Sequence, residues 1–307
     1  MLRRFLLYLS AANWSLNMVT HLGLARRVAR RFIAGETIDE AIAAIKALNA
    51  QGLLVTLDYL GESVHQAEDT QNVVRTYRAM LERIQSGGLK AGVSLKLTHL
   101  GLDITEDLCV HNLRTIVEDA RDRGIPVAID MESSAYVDRT LHIYRMMRDK
   151  YELPNVGTVI QSCLYRTKDD MRHLASEGAS IRLVKGAYLE PETVAFADKA
   201  QVDQNYGEVM HEYLHAPPPA YLQIATHDEK LIQAAEQIVK SHALPSDRFE
   251  FQMLYGIRSA RQLELAQAGY QVRIYVPFGE AWYPYFMRRL AERPANLWFF
   301  VRSIFRA

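Results

Sequence analysis

Near the end of the chain, Tyr285, Arg288, Arg289 and Glu292 fall at i, i+3, i+4 and i+7. In a helix that spacing puts a phenol, two guanidiniums and a carboxylate on one face. Two like charges about 6 Å apart repel by roughly 2–3 kcal/mol at an effective dielectric of about 20. A sequence that keeps them together either offsets them with Glu292 on a solvated face or has an anion to bind. Paired guanidiniums grip a carboxylate or phosphate through parallel N–H bonds, which a lysine cannot do.

More such groups sit at the ends of short apolar runs. Asp58 ends the first. Lys96 lies in Ser94-Leu95-Lys96-Leu97-Thr98, and Asp130 in Ala128-Ile129-Asp130-Met131-Glu132. Gln161 follows, then Arg182-Leu183-Val184-Lys185-Gly186-Ala187-Tyr188, then Thr226-His227-Asp228. Gln252, Leu254 and Tyr255 close the seventh run and Tyr275 the eighth. A charged or amide group inside an apolar strand is costly unless it is paired or used. One would pass for packing; one at nearly every run, at the same end, reads as a site. Lys96, Arg182, Lys185, Arg288 and Arg289 outweigh Asp130, Glu132 and Glu292, which suits a phosphate-bearing cofactor, an anionic substrate, or both. Gly186 and Ala187 let the backbone approach a ligand closely.

One rival motif is His211-Glu212-Tyr213-Leu214-His215, an H-E-x-x-H helix of the zinc-hydrolase kind. It precedes Pro217, belongs to a helix expected on the molecule's outside, and has no evident third ligand downstream. No metal site is expected from it.

The elements that must position these groups alternate from Gly52 onward. Strands are expected at 53–58, 92–97, 126–131, 157–164, 181–184, 221–225, 249–254 and 272–276. Helices are expected between them at 69–86, 106–123, 134–151, 167–177, 192–215, 229–241 and 258–268. Gly124, Gly178 and Gly269 fall just past helix ends, and Thr167 and Asp228 read as N-caps. Pro277 and Gly279 read as breakers after the last strand. Eight strand–helix units are the pattern of a (β/α)8 barrel, whose active site lies at the C-terminal ends of the strands. A doubly wound dinucleotide-binding sheet is disfavoured, because the turn Asp58-Tyr59-Leu60-Gly61-Glu62-Ser63 has no G-x-G-x-x-G.

The 307 residues suffice for one barrel with an appendage: a helical arm over 1–50 and a catalytic barrel over 51–307 whose final helix covers the site. A formal net charge of zero gives no global pull toward nucleic acid. Two cysteines, Cys109 and Cys163, exclude a disulfide framework and fit a reducing cytoplasm. Arg3, Arg4, Arg26, Arg27, Arg30 and Arg31 all precede the first acidic residue, Glu36. Such a basic, apolar arm either touches an anionic membrane surface or packs on the barrel. The apolar stretch after Arg4 is too short for a signal peptide, and no run is long enough to span a bilayer.

Taken together, Ser94–Thr98, Arg182–Tyr188, Ala225-Thr226-His227, Phe249–Gly256 and Tyr285–Glu292 resemble the proline dehydrogenases, flavoenzymes with a distorted (β/α)8 TIM-type barrel. The likeness runs from about Gly52 to Asn296 with motifs in order, and with no aldehyde dehydrogenase half it looks like the monofunctional bacterial form. It implies oxidation of L-proline to Δ1-pyrroline-5-carboxylate with FAD as hydride acceptor. Arg288 and Arg289 would grip the proline carboxylate, helped by Lys96. Asp130 would lie beside Lys96 and the arginines and hold them. Tyr275, Tyr285, Leu254 and Tyr188 would line the substrate ring. Arg182 would stand near the reactive flavin nitrogen, with Gln161, Met131 and Gln252 around the isoalloxazine. Lys185, Gly186, Ala187, Thr226 and His227 would hold the ribityl and pyrophosphate part, and Glu292 would bind Arg288 or the adenosine side. The resemblance also implies a membrane quinone as electron acceptor and pyrroline-5-carboxylate dehydrogenase as a possible partner. The protein would then be cytoplasmic, with peripheral contact at the inner face of the membrane through the arm or through Leu297–Val301. A flavin- or amino-acid-binding barrel without catalysis is the remaining alternative.

Overall fold

The computed structural model describes residues 29–292, with side chains to Arg289. Its strands are β1 (Leu54–Tyr59), β2 (Ala91–Leu95), β3 (Val127–Ile129), β4 (Val156–Gln161), β5 (Ser180–Val184), β6 (Tyr221–Ala225), β7 (Phe249–Leu254) and β8 (Val272–Phe278). They close into a barrel in chain order. All neighbours are parallel, and β8 pairs with β1 through Tyr275 opposite Thr56. Along each strand one set of side chains, such as Val55, Leu57, Val93, Leu222, Ile224, Phe249 and Phe251, is buried in the main apolar core. The alternate set carries the polar groups: Thr56, Asp58, Ser94, Arg182, Gln223, Glu250, Gln252 and Arg273. Period-two alternation then places both sets by residue type alone.

The helices are α1 (Ile38–Asn49), α2 (Ala67–Ser86), α3 (Glu106–Asp122), α4 (Val137–Arg145), α5 (Thr167–Ser176), α6 (Lys199–Leu214), α7 (Glu229–Ser241), α8 (Ser259–Gln267) and α9 (Trp282–Glu292). Helix α1 starts on a capping box, with Thr37 and Glu40 each bonding the other's backbone N–H. Asp228 caps α7 as expected, accepting from the Lys230 N–H at 3.1 Å. The expected glycines Gly124, Gly178 and Gly269 do adopt left-handed φ.

Four expectations need correction. Thr167 is the first residue of α5 and not its cap; its hydroxyl turns back to the carbonyls of Gln161 and Leu164. The helix expected over 134–151 is a 3-10 turn, then α4, then a widened π turn at Met146–Lys150. Across that turn Arg145 and Arg148 both reach Glu177. The helix expected from 192 begins at Lys199. Residues 194–196 instead bond the loop after β4, through Tyr165 N–H to Val194 O and Phe196 N–H to Cys163 O. Finally, β8 runs on through Pro277. A proline lacks a ladder donor, but the last β7–β8 pair is Leu254 with Tyr275, so little is lost on that side. The Pro277 carbonyl accepts from Ala34 N–H at 2.9 Å instead.

That bond docks the described end of the arm. Ala29, Phe32 and Ile33 pack with Leu60, Ile257, Trp282, Tyr283, Tyr285, Phe286 and Met287 in a second apolar cluster. This cluster fixes α9 over the barrel mouth. The expectations for residues 1–28 and 293–307, including membrane contact, lie outside the described residues.

Candidate active site

Asp130, one residue beyond β3, is the hub of the mouth. Its Oδ1 accepts from Arg182 Nη1 at 2.5 Å and from Ser94 Oγ at 2.7 Å, and its Oδ2 accepts from the Tyr275 hydroxyl at 2.7 Å. Ser94 Oγ also lies 3.2 Å from Arg182 Nη1. The Arg182 guanidinium stands 5.2 Å over the Tyr275 ring. Strands β2, β3, β5 and β8 are thus tied together at one point inside the barrel, through residues that are far apart in sequence. Arg182 is buried, and its Nε and Nη2 have no hydrogen-bond partner.

Lys96 sits beside this hub with its Nζ 3.6 Å from Asp58 Oδ2 and 4.0 Å from Asp130 Oδ2. Burial alone would push Lys96 down, but the two carboxylates outweigh it and hold it above the usual lysine range. Asp58 is 1% exposed, and neither of its oxygens has a hydrogen-bond partner. Burial raises its pKa, with Lys96 pulling the other way.

Helix α9 brings Tyr285, Arg288 and Arg289 over the same end. Arg289 lies over the Tyr285 ring at 5.1 Å and is nearly buried. Arg288 Nη1 donates to Glu62 Oε1 at 3.1 Å, so its carboxylate partner comes from the loop after β1. Burial would lower Arg288, yet Glu62 holds it above the ordinary arginine value. The side chain of Glu292 lies outside the described residues. Asp130 therefore holds Arg182 and flanks Lys96, while Arg288 and Arg289 are held elsewhere. Burial raises the half-buried Tyr188 phenol, with Arg288 opposing.

The groups expected around a cofactor fall into two sets. Gln161 donates to the Glu132 carbonyl at 2.9 Å, and Met131 is buried next to that residue. Gly186 has φ of 108°, and a Cβ there would lie 2.4 Å from Cys163 Sγ and 3.3 Å from Gln161 Oε1. The backbone is pressed close, and only glycine fits. Ala187 follows it, half-buried. Lys185 is committed to Asp203 at 2.5 Å and Asp228 at 2.8 Å, so its charge is already balanced. Thr226 Oγ1 accepts from Asp228 N–H, and His227 Nε2 accepts from Leu254 N–H at 2.9 Å. Gln252 belongs deeper, donating to Gln223 at 2.7 Å and Glu250 at 2.6 Å.

Sequence reading noted Asp58 as a strand end without giving it a role, and it passed over Ser94, Glu62 and the contact each makes. Their types were visible; their partners, 36 and 226 residues away, were not. The H-E-x-x-H residues lie on α6 and at its C-cap. Glu212 pairs with Arg172, and the His211 and His215 rings are 4.6 Å apart on the exposed side. Among the described residues no group of three or more His, Cys, Asp or Glu is arranged to hold a metal.

A family model described as proline dehydrogenase matches residues 41–302. The chain is 42% identical to proline dehydrogenase 1 of Bacillus subtilis (strain 168) over 99% of both chains. It is 44% identical to proline dehydrogenase 2 of the same strain, over 97% of this chain and 96% of that one. A crystal structure of proline utilization A from Bdellovibrio bacteriovorus, inactivated by N-propargylglycine, superposes with a TM-score of 0.81 at 25% identity. It covers 87% of this chain, which spans only 33% of that longer one. The chain belongs to the proline dehydrogenase family, and it matches the Bacillus members along almost their whole length.

Proposed function

We propose that the mouth of this barrel binds L-proline against FAD and oxidises it to Δ1-pyrroline-5-carboxylate. The observation that carries the reading is the Asp130 hub, with Lys96 beside it and the two α9 arginines above, all at the C-terminal end of one barrel. Proline is a zwitterion. In this reading Arg288 and Arg289 receive its carboxylate bidentately and Lys96 adds a third cation. Tyr188, Leu254, Tyr275 and Tyr285 wall the ring. Fixing the carboxylate fixes the ring carbon next to nitrogen, and a misplacement of about 1 Å can cost about 100-fold in rate.

The residues present fit a flavin. Arg182 holds two buried nitrogens with unbonded N–H groups beside the substrate position, suited to a ring edge that gains negative charge. Gln161, packed against Gly186, and Met131 would lie along the flat ring, and Thr226 and His227 would hold the ribityl and pyrophosphate part. When bound, the flavin supplies the two-electron acceptor that no side chain here provides. The chain's own part is orientation: Asp130 and Ser94 aim Arg182, and Tyr275 is fixed through its hydroxyl. The amine proton and the ring hydride leave from adjacent atoms, producing the C=N bond.

A membrane quinone as the onward acceptor, pyrroline-5-carboxylate dehydrogenase as the consumer of product, and a cytoplasmic site with peripheral membrane contact extend the same proposal. Among the described residues no helix is long and apolar enough to cross a membrane. An absorbance spectrum of the purified protein tests the core of it. A flavin band that is lost on adding L-proline without oxygen is the expected result. A colourless protein, or a band that proline leaves unchanged, would overturn it.

A further inference from the structure

Asp58 is a carboxylate at the mouth that the reading above leaves without a task. A buried carboxylate with no hydrogen bond is costly, and native structures keep such groups for a reason. No hydrogen bond closes on either Asp58 oxygen although the residue is 1% exposed, and the Tyr275 hydroxyl that also acts on it is donated to Asp130. Asp58 stands opposite Ser94 in the β1–β2 register and opposite Pro277 in the β8–β1 register, so it is set in the barrel wall on both sides. Its nearest cation is Lys96, at 3.6 Å. Asp130 flanks the same ammonium from β3 at 4.0 Å. Both separations are longer than a hydrogen bond.

We infer that Asp58 is a positioning residue: a fixed buried counter-charge that holds Lys96 cationic in the floor of the mouth while leaving its N–H groups to the substrate carboxylate. This rests on reading the mouth as the proline site. A closer carboxylate would take the donors for itself, and a neutral residue would leave the ammonium without its nearest counter-charge. Asp130 cannot replace Asp58, because its oxygens are already taken by Arg182, Ser94 and Tyr275. The charged or titratable groups acting on Lys96 are Asp58, Asp130, Tyr188, Glu62, Glu132 and His99. Of these, Asp58 raises its pKa the most.

The test is proline binding by Asp58→Asn as a function of pH, alongside its melting temperature. The substitution strips a buried ammonium of its nearest counter-charge and so costs some stability; the melting temperature is recorded to show that the variant is folded at every pH used. At neutral pH proline should bind within about threefold of the parent. By about pH 9 it should bind at least about tenfold more weakly, because a buried lysine stripped of its main counter-charge loses its proton early. Acidifying the sample should restore binding. In a Lys96→Met background Asp58→Asn should have no further effect on proline affinity. Parallel pH curves for Asp58→Asn and the parent, or an equal effect in the Lys96→Met background, would each overturn the inference. If Lys96→Met binds proline as the parent does, the assignment of Lys96 to the carboxylate fails first, and the inference falls with it.

Discussion

Two groups of buried charges lie inside this barrel, and they are finished differently. The deeper one centres on Glu250 and Arg273. Glu250 accepts from Arg273 Nε at 2.7 Å and Nη2 at 3.0 Å, from Gln252 at 2.6 Å and from Tyr221 at 3.2 Å. Arg273 Nη1 closes on the Val55 carbonyl at 3.0 Å, and Gln223 closes on Ser180. At the mouth, by contrast, Asp58 has no hydrogen bond, Arg182 leaves two donors unbonded, and Lys96 stands off both of its carboxylates. A buried ion pair is tolerated in the fold when its hydrogen bonds are complete. The deeper group meets that condition by itself, and the mouth does not. The first is therefore architecture, and under the proposed function the second is a binding site, though both are built from the same residue types.

That contrast can be broken at several points. Arg273→Met leaves Glu250 buried without its cation, and a lost partner of this kind costs about 3–5 kcal/mol. Urea unfolding should register that loss, while the proline KM of the folded enzyme stays unchanged. His99, beside the mouth and stacked on Tyr59 at 5.4 Å, gives the next effect. Burial and the Lys96 charge lower its pKa to about 4. The unfolded chain then takes a proton that the folded one refuses, so stability falls as pH drops from about 6.5 through the folded value. The full loss is roughly 3 kcal/mol, and a pH series of unfolding curves on His99→Gln should lack it. Arg288→Lys and Arg289→Lys keep the charge but lose the planar fork. Each should raise the proline KM by on the order of 30-fold, about 2 kcal/mol, with the cofactor still bound. An unchanged KM in both would mean that the clamp is on the wrong face. The smallest effect is at Cys109, whose thiol burial pushes up to about 12. It should resist thiol reagents at neutral pH until the protein is unfolded.

The barrel was legible because eight short apolar runs, buried on both faces, alternate with amphipathic helices. Asp130, Arg182 and Lys96 were legible because charge inside an apolar strand demands an explanation. Less legible was anything set by closure. Gln252 looks like a mouth residue by its position on β7, yet it bonds Glu250 and Gln223 deeper down. Lys185 looks like a free cation for phosphate, yet Asp203 and Asp228 hold it. Pro277 looks like a breaker, and it ends no strand because β7 has already stopped beside it. Asp58 and Glu62 acquire meaning only when Lys96 and Arg288 arrive opposite them. Local pattern specifies which residues are polar and buried; tertiary pairing decides which of them remain available.

Thermal melting with and without saturating L-proline, run side by side on Arg289→Lys and Arg273→Met, tests the division most directly. The account predicts that Arg289→Lys melts close to the parent but has lost most of the proline-induced rise. It predicts that Arg273→Met melts lower by on the order of 10 °C yet keeps that rise in full. The reverse pattern, or a proline response lost equally from both, would contradict it.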